Sequence, residues 1–146
     1  MTRPDVRDTC TFCRIIDGAL DADVVLEEPR AVAFLDHRPL FPGHVLVSPR
    51  DHVGTLPELP TDLVGPFFET VQRVAAALPG AMEAEGTFVS INNVVSQSVP
   101  HLHVHVVPRT KGDGLRGFFW PRHPYDDDAH QRAVAERIRQ ALAGSR

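Results

Sequence analysis

The sequence predicts an α+β fold, an antiparallel sheet of about five strands with one long helix across it. Three observations carry this. Residues 24–28 and 31–35 are short strand-like runs joined by Glu28-Pro29-Arg30, where proline presets a turn. Apolar residues at 63, 64, 67, 71, 74, 75 and 78 fall on one helical face. Between Pro100 and Pro108, imidazoles alternate with aliphatic side chains, so an extended strand would place His101, His103 and His105 on one side.

The chain has 146 residues, enough for one domain with a real core, expected over 10–112, followed by a C-terminal loop and helix over 113–146. With 42% hydrophobic and 23% charged residues it is globular rather than disordered. No apolar run approaches the ~20 residues of a membrane span, and the N-terminus lacks a signal-peptide core. A net charge of −4 argues against general nucleic-acid binding. Two cysteines do not make a secreted disulfide framework, so a reducing, cytoplasmic setting is expected.

In chain order, residues 1–9 read as a polar, loose arm. A short helix over 13–17 follows, with Gly18 as its C-cap. Cys10 and Cys13 stand at its start, spaced as half of a tetrahedral zinc site, as a redox pair, or as two small buried residues. The first two strands lead into the turn-rich link 36–43, which contains Asp36. A third strand over 44–48 starts at His44, beside Gly43, where the backbone can approach closely. His52 reads by itself as a loop histidine. After a loop over 55–60, the long helix starts at Thr61 or restarts at Gly65-Pro66, and Pro79-Gly80 should end it. A fourth strand over 87–93 turns through Asn92-Asn93-Val94-Val95-Ser96 into the histidine strand. Beyond Pro108, Arg109, Lys111, Arg116 and Arg122 lie among glycines, a solvated loop or a phosphate attractor. Phe118-Phe119-Trp120-Pro121 is either core or a cover for a nucleobase. Asp126–Asp128 offers an N-cap, and Val134, Ile138, Ala141 and Leu142 mark a last helix ending at Gly144.

Imidazoles lined up on a rigid strand can bind a metal, accept a proton or attack an electrophile near neutral pH. Spacing alone leaves a three-histidine zinc site and a nucleophilic site both open.

His101-Leu102-His103-Val104-His105-Val106-Val107 resembles the His-φ-His-φ-His-φ-φ signature of the histidine triad superfamily of nucleotide hydrolases and transferases. Cys10-Thr11-Phe12-Cys13-Arg14-Ile15-Ile16, Phe34-Leu35-Asp36 and Pro42-Gly43-His44-Val45-Leu46-Val47 agree with it in order, so the resemblance covers residues 10–112. It implies a hydrolase in which neutral His103 attacks an α-phosphorus, forms a nucleotidyl-histidine and is freed by water, with no catalytic metal. His105, His44 and Ser98 would complete the catalytic set. Asp36, Asn93, Gln97, Ser98 and His105 would contact a purine nucleotide, Asp36 through the ribose hydroxyls, and the carbonyl of His101 would orient His103. Cys10, Cys13, His52 and His101 would hold a structural zinc. Relatives are homodimers with continuous sheets. In the phosphoramidase branch a C-terminal tryptophan reaches the partner's site, a place that Trp120 matches loosely. A transferase or phosphorylase, or a nucleotide-binding interaction module, are the rival readings. The loop between Asn93 and Gln97 is shorter than usual, and Ser96 replaces the glycine that often precedes Gln. Both departures bear on leaving-group preference.

Overall fold

The computed structural model describes residues 5–116 and 121–144, in two compact units, Met1–Asp113 and Gly114–Arg146. The first unit contains helices α1 (Val6–Thr9), α2 (Thr11–Ile16) and α3 (Thr61–Met82) and strands β1 (Val24–Glu27), β2 (Ala31–Leu35), β3 (Val45–Pro49), β4 (Gly86–Ser90) and β5 (Val104–Arg109). The strands form one five-stranded sheet in the order β1-β2-β3-β5-β4, and every neighbouring pair is antiparallel. This is the expected α+β arrangement.

The sheet is covered on both faces, which explains why β3 is buried throughout and β2 is buried at all but its last residue. On one face, Leu63, Phe67, Val71, Val74 and Leu78 of α3 pack with Ala31, Ala33, Val45, Val47, Val104 and Val106. On the other, Cys10, Phe12 and Cys13 pack with Val32, Phe34 and Leu46. The alternation along β2 thus feeds two separate clusters.

Four local expectations are corrected. The arm is not loose throughout. Val6–Thr9 is helical, capped by Asp5, and Arg7 ties it down through Asp17 and the carbonyl of Arg50. The short helix starts two residues earlier than expected, with Cys10 as its N-cap. Helix α3 starts at Thr61 and passes through both Pro66 and Pro79. Each proline removes one N–H without stopping the ladder, and the helix ends at Glu83, whose left-handed backbone donates its N–H to Pro79 O. Nor does Pro108 bound the histidine strand. There β5 pairs only with Thr87 of β4, because its ladder with β3 stops at Val106, so the missing N–H faces no neighbour.

In the second unit, α4 (Asp128–Ala143) is capped by Asp127, whose carboxylate accepts from His130 N at 2.7 Å, and it ends at Gly144 as expected. Trp120, with 117–119, lies outside the described residues. Among the described residues, no helix is long and apolar enough to cross a membrane.

Candidate active site and metal centre

The histidine segment approaches the sheet before the ladder begins. His101 and His103 precede Val104, the first residue of β5, and the backbone between them is tied by Leu102 N donating to Val53 O at 2.6 Å. His44 lies just ahead of β3, after Gly43 at φ 92°, and an added Cβ on that glycine would sit 2.7 Å from Met82 Cγ. The β3–β5 register, with Leu46 opposite His105, then brings His44 and His105 together.

The backbone assigns a tautomer to each imidazole it touches. His101 O can only accept, so His103 Nδ1–H donates to it at 2.7 Å and His103 Nε2 keeps its lone pair. Leu40 N–H can only donate, so His44 Nδ1 accepts at 3.1 Å and the proton of the neutral ring sits on Nε2. That proton faces His105 Nδ1 at 2.9 Å, which leaves the His105 proton on Nε2. The result is one ring with a free nucleophilic nitrogen beside another presenting an N–H. Their centroids are 5.0 Å apart.

Burial keeps these rings neutral. It lowers the pKa of His44 and of His103, with the nearby Asp36 carboxylate opposing in both cases. It brings His105 down to about 4, helped by His103 and His44. Asp36 accepts from Arg38 N at 2.9 Å, the ordinary turn role, while its other oxygen lies 3.7 Å from His44 Nε2.

Cys10, Cys13, His52 and His101 converge in a second group. Cys13 Sγ lies 3.3 Å from His52 Nδ1 and 3.4 Å from His101 Nδ1, and Cys10 Sγ lies 3.5 Å from His101 Nδ1. A tetrahedral zinc with ordinary bond lengths needs sulfur–nitrogen edges of about 3.6 Å, so these donors need little movement to enclose one. His101 Nε2–H donates to Pro49 O at 2.8 Å, which frees Nδ1 toward the sulfurs and supplies the outer hydrogen bond that metal-bound histidines use. Both cysteines are free thiols.

The remaining candidates are spread along one loop. Asn93 Oδ1 accepts from Leu56 N at 2.9 Å. The Gln97 amide spans Val94 N and Gly54 O. Both side chains therefore hold the loop in shape, and Ser98 is exposed beside them. The short loop reverses through left-handed conformations at Val94 (φ 68°) and Ser96 (φ 60°), so Ser96 occupies a backbone state that suits the glycine it replaces. Sequence reasoning missed three participants: the Leu40 N–H, the Pro49 carbonyl and the ring of Phe12, whose centroid is 4.9 Å from that of His103. The first two are main-chain groups, which no residue type advertises, and Phe12 reads as any core aromatic.

Comparison with known proteins identifies the family. A family profile described as the HIT domain matches residues 17–112. The crystal structure of a HIT-family protein from Bacillus subtilis superposes with a TM-score of 0.83 at 34% identity, covering 93% of this chain and 99% of that one. A Zn-bound histidine triad family protein from Mycobacterium smegmatis superposes with a TM-score of 0.71 at 32% identity, covering 92% and 99%. Adenosine 5'-monophosphoramidase of Candida albicans is 29% identical over 141 residues, 92% of each chain. The matched profile spans all five strands and every histidine of the paired clusters, and the chain belongs to the HIT family.

Proposed function

We propose that this protein is a nucleotide hydrolase that cleaves a nucleoside phosphoramidate or a dinucleoside polyphosphate at its α-phosphorus through a nucleotidyl-His103 intermediate. The observation that carries the reading is the 2.7 Å hydrogen bond from His103 Nδ1 to His101 O, which leaves Nε2 unprotonated and aimed away from the backbone. Nε2 bonds to phosphorus, and the leaving group departs with the bonding pair and a proton from solvent. Water then cleaves the phosphorus–nitrogen bond and returns a nucleoside monophosphate and free His103. The His105 Nε2–H, held by the Leu40–His44 relay, donates to a phosphoryl oxygen as charge builds there. Ser98 is assigned to the leaving group and Asp36 to the ribose. Asn93 and Gln97 form the loop wall. The known phosphoramidase relative supports the substrate class.

The same reading places a structural zinc on Cys10, Cys13, His52 and His101. Bound there, the ion supplies a cross-link between α2 and the histidine segment and takes no part in the reaction. A purine nucleotide as substrate, a homodimer as the assembly and a reducing, cytoplasmic setting that keeps both thiols free complete it.

The test offers adenosine phosphoramidate and diadenosine polyphosphates with and without inorganic phosphate. Wild type should release AMP, and a slow substrate should leave AMP on the His103 peptide. His103→Ala should bind AMP without turnover. Normal turnover by His103→Ala would sink the mechanism. Phosphorolysis in place of hydrolysis would move the protein to the transferase class.

A further inference from the structure

We infer that Ser48 donates a hydrogen bond to the Cys13 thiolate of the zinc centre proposed above, and so tunes how tightly Cys10, Cys13, His52 and His101 hold the ion. The inference rests on that zinc reading and is independent of the reaction at His103.

A hydroxyl shut away from water and left unpaired costs stability, so a native one needs an explanation. Ser48 is 0% exposed, and among the described residues its Oγ is the buried side-chain polar atom without a hydrogen-bond partner. The other buried polar side chains are engaged, Thr70 with Pro66 O, and His44, His101 and His103 with main-chain groups. The strand pattern says where Ser48 faces. Val45 and Val47 pack with α3, so Leu46 and Ser48 turn to the opposite side of the sheet. Ser48 stands across from Val32, which shares a cluster with Cys10 and Cys13. The next residue, Pro49, holds the His101 ring through its carbonyl. The spare donor therefore lies on the side of the sheet that carries the four ligands.

The two sulfurs are not equally provided for. Cys10 Sγ accepts from Cys13 N at 3.5 Å. Cys13 Sγ faces ring nitrogens of His52 and His101, at 3.3 and 3.4 Å. Once those nitrogens turn their lone pairs to an ion they give the sulfur nothing, and the remaining His101 proton is committed to Pro49 O. Cys13 is itself 0% exposed, so bulk water does not take their place. A thiol is a weak acceptor, which leaves the hydroxyl of Ser48 unpaired in the absence of metal. A thiolate is a charged acceptor, and a hydroxyl can rotate to meet it. The buried donor without an acceptor and the buried anion short of a donor complete each other.

The experiment compares wild type with Ser48→Ala and Ser48→Thr as full chains, metal-free and zinc-loaded. Zinc affinity is read by competition with a chelator and stability by urea denaturation. The sulfur–metal bond is read from the sulfur-to-cobalt charge-transfer band of cobalt(II)-loaded protein. Ser48→Ala should bind zinc about 10-fold more weakly, the lower end of the scale for a lost outer hydrogen bond. Its cobalt band should move to lower energy, because a thiolate without that hydrogen bond gives up charge more readily. Metal-free, Ser48→Ala should be at least as stable as wild type, since the unpaired hydroxyl is gone. Zinc-loaded, it should be less stable. Ser48→Thr keeps the hydroxyl and should return affinity and band toward wild type. Equal destabilisation of the metal-free and loaded forms by Ser48→Ala would overturn the inference and assign the hydroxyl to a buried water. A wild type that takes up neither zinc nor cobalt would sink the zinc reading and this inference with it. Wild type and Ser48→Ala that load zinc alike, with the same cobalt band, would sink the inference alone.

Discussion

Acidification should destabilise this protein in part through one imidazole, that of His105. The perturbation is a drop from about pH 7 to about pH 4.5, applied to wild type and to His105→Asn. Burial, with His103 and His44 adding to it, brings His105 from 6.5 in the ordinary case to about 4 in the fold. The folded pKa is the lower one, so between these values the unfolded chain binds more protons. The stabilisation is full above about 6.5 and is lost as the pH falls toward about 4. That gap corresponds to about 3 kcal/mol, and solvent screening at a ring that is not fully enclosed reduces it to about 2 kcal/mol. Asparagine does not titrate, and its side-chain oxygen can still accept the His44 Nε2 proton. Urea denaturation at both pH values supplies the assay. Wild type should lose about 2 kcal/mol more than His105→Asn on acidification, because only wild type must exclude a proton at this position. Equal losses would refute the claim that His105 is held neutral by its surroundings, and with it the tautomer relay from Leu40.

Two further outcomes follow from the metal centre and the loop. Purified protein should contain zinc that Cys13→Ala and His52→Ala lose by elemental analysis. Uptake should release protons, since burial and the neighbouring Cys10 push the Cys13 thiol up to about 12; unchanged melting on stripping would mean the four side chains are merely packed. Val94→Gly should raise stability by about 1 kcal/mol in chemical denaturation, because a β-branched residue is strained in the left-handed region and glycine is not, even after glycine's larger unfolded-state entropy is counted. Val94 stands at φ 68° with 75% of its surface exposed, so little packing is lost, and a destabilised variant would refute the strain.

The sheet was legible because its strands announce themselves chemically. β2 and β3 are short aliphatic runs, and the segment that leads into β5 alternates imidazole with aliphatic side chains over 101–106. The face of α3 was legible from its spacing. Its end was not, because Pro79 costs the helix one hydrogen bond and does not outweigh the packing of Leu78 against the core. Cys10 and Cys13 stood out as a pair, but His52 joins them only through the way the chain returns after β3, which spacing does not encode. The two sides of the triad differ in the same manner. Residue types named His103 and His105, whereas the protons that give them roles are set by Leu40 N–H and His101 O, main-chain groups that carry no side-chain signature.

His101 serves the nucleophile only through its main-chain oxygen and serves the sulfur cluster only through its ring. The two duties share a residue but no atom. The zinc proposed above could therefore be lost without disturbing the hydrogen bond that orients His103, since any amino acid at position 101 brings a carbonyl. Changing one ligand alone would leave three, an incomplete set for a closed tetrahedral site. Replacing all four together by small apolar residues is the exchange that would keep α2 seated against the sheet.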